Sequence, residues 1–112
     1  MSVEVYLTAA APGLTVKSVA EAIMTAPHAR LVGGAITLDK ARVRVAEADP
    51  GEIWVDLLNH DDEGAFVEFD SLYDHLVRST PWDMWTGYDD VPALCKSTGI
   101  AMKHRPLLAR AS

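Results

Sequence analysis

Residues 42 to 57 read RVRVAEADPGEIWVDL. Val43 and Val45 alternate with Arg42 and Arg44, and Ile53, Val55 and Leu57 recur at every second position. Side chains on a strand leave alternate faces, so each run collects its aliphatic residues on one side. Between the runs, Asp49-Pro50-Gly51 supplies turn chemistry: Pro presets φ and Gly tolerates the left-handed region. Two such runs joined by a short turn form an antiparallel hairpin with one apolar face. That face has to be covered, and the rest of the chain has to supply the cover.

The flanking segments supply it. VEVYLT, residues 3 to 8, places Val3, Val5 and Leu7 on one face and predicts a strand, which AAAPG at 9 to 13 breaks. From Thr15 the period lengthens: Val16, Val19, Ala20 and Ile23 form one stripe of a helix. Thr15 can cap it, Ser18 with Glu21 offers an alternative capping box, and Pro27 ends it. Gly33-Gly34 punctuates the chain before a strand containing Ile36 and Leu38. NHDDEG, residues 59 to 64, reads as a polar loop, Val67 and Phe69 as a further strand, and Leu72, Tyr73, Leu76 and Val77 as a second helix capped by Asp70 or Ser71. Residues 82 to 90 read as a loop or a single helical turn. Pro92 to Ser97 reads as a short helix with Gly99 past its end, residues 100 to 104 as a last strand, and 105 to 112 as a frayed tail.

The expected fold is therefore α+β: a single domain over residues 1 to 112, with strand, helix, meander and helix in order. The sheet is mostly antiparallel and the helices pack on one face. The helix after the first strand also permits that strand a parallel neighbour through a right-handed crossover. Arg42, Arg44, Asp56 and Glu68 are expected as solvated charges on the other face. A chain of 112 residues, half of them apolar, can bury enough surface to fold without staples. Its single Cys95 cannot form an internal disulfide, the start MSVE carries no secretory pattern, and no run is long enough to span a bilayer. These features predict a cytoplasmic protein with no membrane association.

Charge is segregated along the chain. Residues 59 to 90 hold nine acids and one base, whereas residues 91 to 112 hold four bases and no acid. The two segments either pair with each other across the fold or present an acidic surface to a basic partner.

Catalytic and cofactor chemistry finds little support. His60-Asp61-Asp62-Glu63 has metal-capable side chains, but consecutive loop residues rarely converge on one ion and the spacing is not that of a calcium loop. Cys95 lies in the apolar stretch Ala93-Leu94-Cys95 and would need His75 or His104 nearby as a base. Gly33-Gly34 lacks the spaced glycines and lysine of a phosphate loop. Bases are too few for direct nucleic-acid binding. The sequence predicts no metal, no cofactor and no enzyme. A pocket built from His60, Asp62, Cys95 and His104 is the alternative to test, as is a homodimer or structural subunit.

The most distinctive stretch is PWDMWTGYDD, residues 81 to 90, with two of the three tryptophans. The rings of Trp82, Trp85 and Tyr88 either fold back over the core as a lid or remain at the surface. Aromatic rings beside carboxylates make a binding hot spot for Lys and Arg. The candidate partner-binding residues are Asp61, Asp62, Glu63, Trp82, Asp83, Trp85, Tyr88, Asp89 and Asp90. In size, acidity and lack of a catalytic motif the chain resembles the cognate immunity proteins of bacterial toxin systems. That resemblance implies an inhibitor of a basic protein, such as a toxin or another nucleic-acid-processing enzyme.

Overall fold

The computed structural model describes residues 3–108. The hairpin is β4 (Arg42–Asp49) and β5 (Glu52–Leu57), antiparallel as the alternation requires, with Val43 opposite Leu57 and Val45 opposite Val55. The register shifts between Glu47 and Asp49, and Gly51 turns the chain at φ 79°, a conformation that favours glycine. Around this pair the chain adds β1 (Tyr6–Ala10), β2 (Arg30–Val32), β3 (Ala35–Thr37), β6 (Asp83–Gly87) and β7 (His104–Arg105). The sheet order is β2-β3-β4-β5-β1-β6-β7, and every neighbouring pair is antiparallel. Gly33 and Gly34 both take positive φ and form the two-residue turn of the β2–β3 hairpin.

Three helices, α1 (Val16–Ile23), α2 (Glu63–Ser79) and α3 (Pro92–Thr98), cover one face of this sheet. Leu7, Ala9, Val43, Ile53, Val55 and Met84 from that face meet Val19, Ile23, Phe66, Phe69, Leu72 and Leu76 from the helices in one buried cluster. Thr15 Oγ1 caps α1 by accepting from Ser18 N at 3.2 Å. Asp62 Oδ1 caps α2 by accepting from Ala65 N at 3.2 Å. Gly99, left-handed at φ 75°, ends α3.

The α+β class, the single helical layer and the antiparallel sheet agree with the sequence reading. Several elements differ from it. The first strand has two antiparallel neighbours, β5 and β6, so the permitted parallel crossover is not used; α1 leads to the β2–β3 hairpin at the far edge instead. The predicted strand at Val67 and Phe69 is the second turn of α2, which is capped by Asp62 and starts at Glu63, not after a cap at Asp70 or Ser71. Ala65, Phe66, Phe69, Leu72, Tyr73 and Leu76 are all buried there, a helical stripe that outweighs the local β propensity of Val and Phe. Glu68 accordingly lies on a helix and not on the sheet, and its carboxylate accepts backbone N–H groups of Asp39, Lys40 and Ala41. The predicted loop at 82 to 90 contains β6, an internal strand.

The tail expected to fray from residue 105 is anchored at its start. Arg105 donates to the carbonyls of Val77, Thr80 and Trp82, holding the exit of α2. Leu108 N donates to Pro81 O at 2.8 Å. Residues 109 to 112 of that predicted tail lie outside the described residues. Part of the segregated charge pairs internally: Lys103 Nζ lies 2.7 Å from Asp70 Oδ2 and 3.3 Å from Asp74 Oδ1. Next to it, His104 Nε2 is hydrogen-bonded to Asp83 Oδ1 at 2.6 Å.

Candidate functional site

With all three helices on one side, the alternation of the strands decides what the other side carries. Residues of β1 that do not face the core are Tyr6, Thr8 and Ala10. Cross-strand pairing places Asp56, Trp54 and Glu52 of β5 opposite them on one flank, and Gly87, Trp85 and Asp83 of β6 on the other. The central row therefore runs Ala46, Trp54, Thr8, Trp85, His104 over five strands. Arg44, Asp56, Tyr6 and Gly87 form the row on one side of it, and Glu52, Ala10 and Asp83 the row on the other. The result is an aromatic stripe across an uncovered sheet face, with carboxylates above and below.

The rings support one another. Tyr6 and Trp54 stack with centroids 5.4 Å apart and planes at 23°. Tyr6 also lies over Gly87, where an added Cβ would come within 2.3 Å of Tyr6 Cζ; the missing side chain is the seat of the ring. Trp85 meets the His104 imidazole edge-on at 6.1 Å, and His104 is in turn held by Asp83. An open groove of about 530 Å³ runs beside Trp85, lined by Asp83, Met102 and His104 among others.

Thr8 stands in register between the two tryptophans. It is 0 % exposed, and its hydroxyl is the one buried side-chain oxygen or nitrogen without a hydrogen-bond partner among the described residues. Trp54 beside it remains 36 % exposed. On the neighbouring row, burial raises the pKa of Asp56, the Glu4 carboxylate raises it further, and Arg44 partly offsets both.

The structure separates the candidate residues named from sequence. Asp83 and Trp85 belong to the open face. Trp82 is half-buried and packs against the core, and Tyr88 is 1 % exposed with its hydroxyl donating to Asp70 Oδ1 at 3.0 Å. Both of these rings face inward, as a lid does. Asp61, Asp62 and Glu63 lie where β5 passes into α2, and Asp89 and Asp90 where β6 passes into α3. Because β5 and β6 run the same way on either side of β1, these five acids share one end of the sheet. Asp62 spends its carboxylate on the helix cap, Glu63 accepts from Ser97 Oγ, and Asp90 accepts from Glu4 N at 3.0 Å.

Tyr6, Thr8 and Trp54 were not singled out from sequence. Their signal was present, since each occupies the off-phase position of a strand whose other positions are aliphatic. What the sequence could not supply was that β1 lies between Trp54 and Trp85.

Among the described residues no three His, Cys, Asp or Glu side chains cluster as a metal site. Burial pushes the Cys95 thiol up, and Asp70 and Asp89 add to that, which disfavours a nucleophilic thiolate. Two of the histidines are engaged elsewhere, His75 with Thr25 Oγ1 and His104 with Asp83. Among the described residues no helix is long and apolar enough to cross a membrane. Compared with family models, with curated proteins and with solved structures, the chain matches none.

Proposed function

We propose that this chain is a cytoplasmic binding protein whose open sheet face holds a basic protein partner. Its role on this reading is that of an inhibitor of the immunity type, which neutralises a bacterial toxin or another enzyme with a basic cleft. The observation that carries the reading is the aromatic stripe of Tyr6, Trp54 and Trp85, uncovered by any helix among the described residues and bordered by Glu52, Asp56 and Asp83.

The physical case is one of complementarity. Aromatic rings supply large contact area at little conformational cost, which is why they dominate binding hot spots. Carboxylates around them favour Arg and Lys through ion pairs, while the ring faces attract the same cations. A net charge of −6 adds long-range attraction for a basic partner and repels nucleic acid. A basic cleft that accepts a phosphate backbone would accept such a face.

Co-purification from a host lysate tests the reading when wild type is compared with a Trp54→Ala, Trp85→Ala variant shown to be folded. The expected result is a basic enzyme retained by wild type alone, whose activity on its own substrate is suppressed by equimolar wild-type protein and not by the variant. Retention of the same enzyme by both proteins, or no loss of its activity, contradicts the proposal.

A further inference from the structure

We infer that the partner anchors on this face through an arginine side chain, whose guanidinium enters between Trp54 and Trp85 and donates a hydrogen bond to the Thr8 hydroxyl. The inference rests on the proposed reading of the face and names the group recognised there.

Three observations converge on Thr8. Its side chain points to the open face, because Leu7 and Ala9 on either side of it point to the core. It is wholly covered and has no hydrogen-bond partner among the described residues. A buried hydroxyl left unpaired is unfavourable, so a donor arriving there gains more than one arriving at a hydrated group. Its two cross-strand neighbours on this face are both tryptophans.

The spacing suits a planar cation. Adjacent strands lie about 4.8 Å apart, so backbones that flank β1 on both sides are roughly 10 Å apart. A flat group stacked between two rings needs about 3.5–4 Å on each face, which two such backbones accommodate. Guanidinium is planar, stacks on aromatic faces, and keeps N–H donors at its edge while its faces are occupied. A lysine ammonium has no such face and edge. Entry requires Trp54 to move, and it is the more exposed indole, at 36 %, whereas Trp85 is partly buried and packs on the His104 ring that Asp83 holds. Glu52 and Asp56 border the entry and supply the opposite charge, while Asp83 beside them is engaged by His104.

The occupant is cationic rather than a neutral sugar, although both stack on indole, because the carboxylates of Glu52, Asp56 and Asp83 flank the stripe on both sides and outnumber the one base in these rows, Arg44. The test uses three versions of one short peptide, with several arginines, the same number of lysines, or the same number of citrullines, and a neutral glucan oligosaccharide as a fourth probe. Binding is followed by tryptophan fluorescence on wild type and on Thr8→Val, which keeps the side-chain shape and removes the acceptor. The expected result is that the arginine peptide binds at least about tenfold more tightly than the other probes, the discrimination given by one hydrogen bond to a charged group. Thr8→Val, with an unchanged fold by NMR, is expected to lose that margin.

Equal binding of arginine and lysine peptides, unaffected by Thr8→Val, overturns the insertion and leaves the basic-partner reading standing. Binding of neither cationic peptide overturns both. Preference for citrulline or the oligosaccharide also overturns both, since each lacks the charge on which both rest.

Discussion

Trp54 and Trp85 stand in register on two strands that flank the same residue, Thr8 of β1. Neither ring reaches the helical layer, so both are free to serve the opposite face. An antiparallel sheet commonly leaves one face to water, and polar side chains then occupy it. Here the charged residues stand at the border and aromatic rings hold the centre, the arrangement of an interface core within a polar rim.

The covered hydroxyl of Thr8 has a consequence for stability. In the free protein it costs desolvation without a compensating hydrogen bond. Thr8→Val should therefore stabilise the fold by about 1 kcal/mol, seen as a higher urea midpoint with an unchanged slope. A lower midpoint would mean that the hydroxyl has a partner in solution.

Gly87 is a seat and not a hinge. Gly87→Ala should push the Tyr6 ring off β6 and disturb its stack on Trp54, at a cost of about 1–3 kcal/mol. The near-ultraviolet circular dichroism of the aromatic residues should change with it. A spectrum and stability equal to wild type would show that Tyr6 does not rest on Gly87.

The tryptophans should divide by role. Trp82 packs against the core, so Trp82→Ala should cost about 2–4 kcal/mol and leave cationic peptide binding intact in the folded fraction. Trp85→Ala should cost about 1 kcal/mol and weaken binding. The reverse pattern would place the contact on the lid and not on the open face.

Stability should fall in alkali. Burial, then the charge and hydrogen bond of Asp70, raise the Tyr88 pKa far above its ordinary 10.0, and burial raises that of Tyr73. Above about pH 10 the unfolded chain releases these phenolic protons and the folded chain keeps them. Folding is then opposed progressively as pH rises. Burial lowers the Lys103 pKa, but Asp70 and Asp74 outweigh it and leave a net increase over 10.5. Its contribution is present below the unfolded value and is lost as pH rises through the folded one. Denaturation midpoints measured from pH 8 to 11 should fall most steeply above pH 10, and Tyr88→Phe should make that fall shallower. An unchanged slope would remove Tyr88 as its cause.

The sequence made the β4–β5 hairpin legible because its alternation and its turn agree. It made α1 legible because the Thr15 cap and the apolar stripe coincide, and α3 because Pro92 opens it and Gly99 ends it. β6 was hidden: Met84, Thr86 and Tyr88 do alternate with Asp83, Trp85 and Gly87, but Pro81, three aspartates and Gly87 read as a loop. Its strand form is imposed by pairing with β1, which is distant in sequence. The same non-local pairing assembles the aromatic stripe. Its members come from residues 6, 54 and 85, so no window of sequence contains it. Asp83 and Trp85 were visible as candidates only because they sit in an unusual composition.

The chain's three tryptophans give three indole N–H signals in a proton–nitrogen NMR spectrum, assignable by single substitutions. Titration with a short arginine-rich peptide tests the central claim most directly. The Trp54 and Trp85 signals should shift together and saturate, while the Trp82 signal stays in place. A shift of Trp82 alone, or no shift of any indole at saturating peptide, would contradict a binding site on the open face.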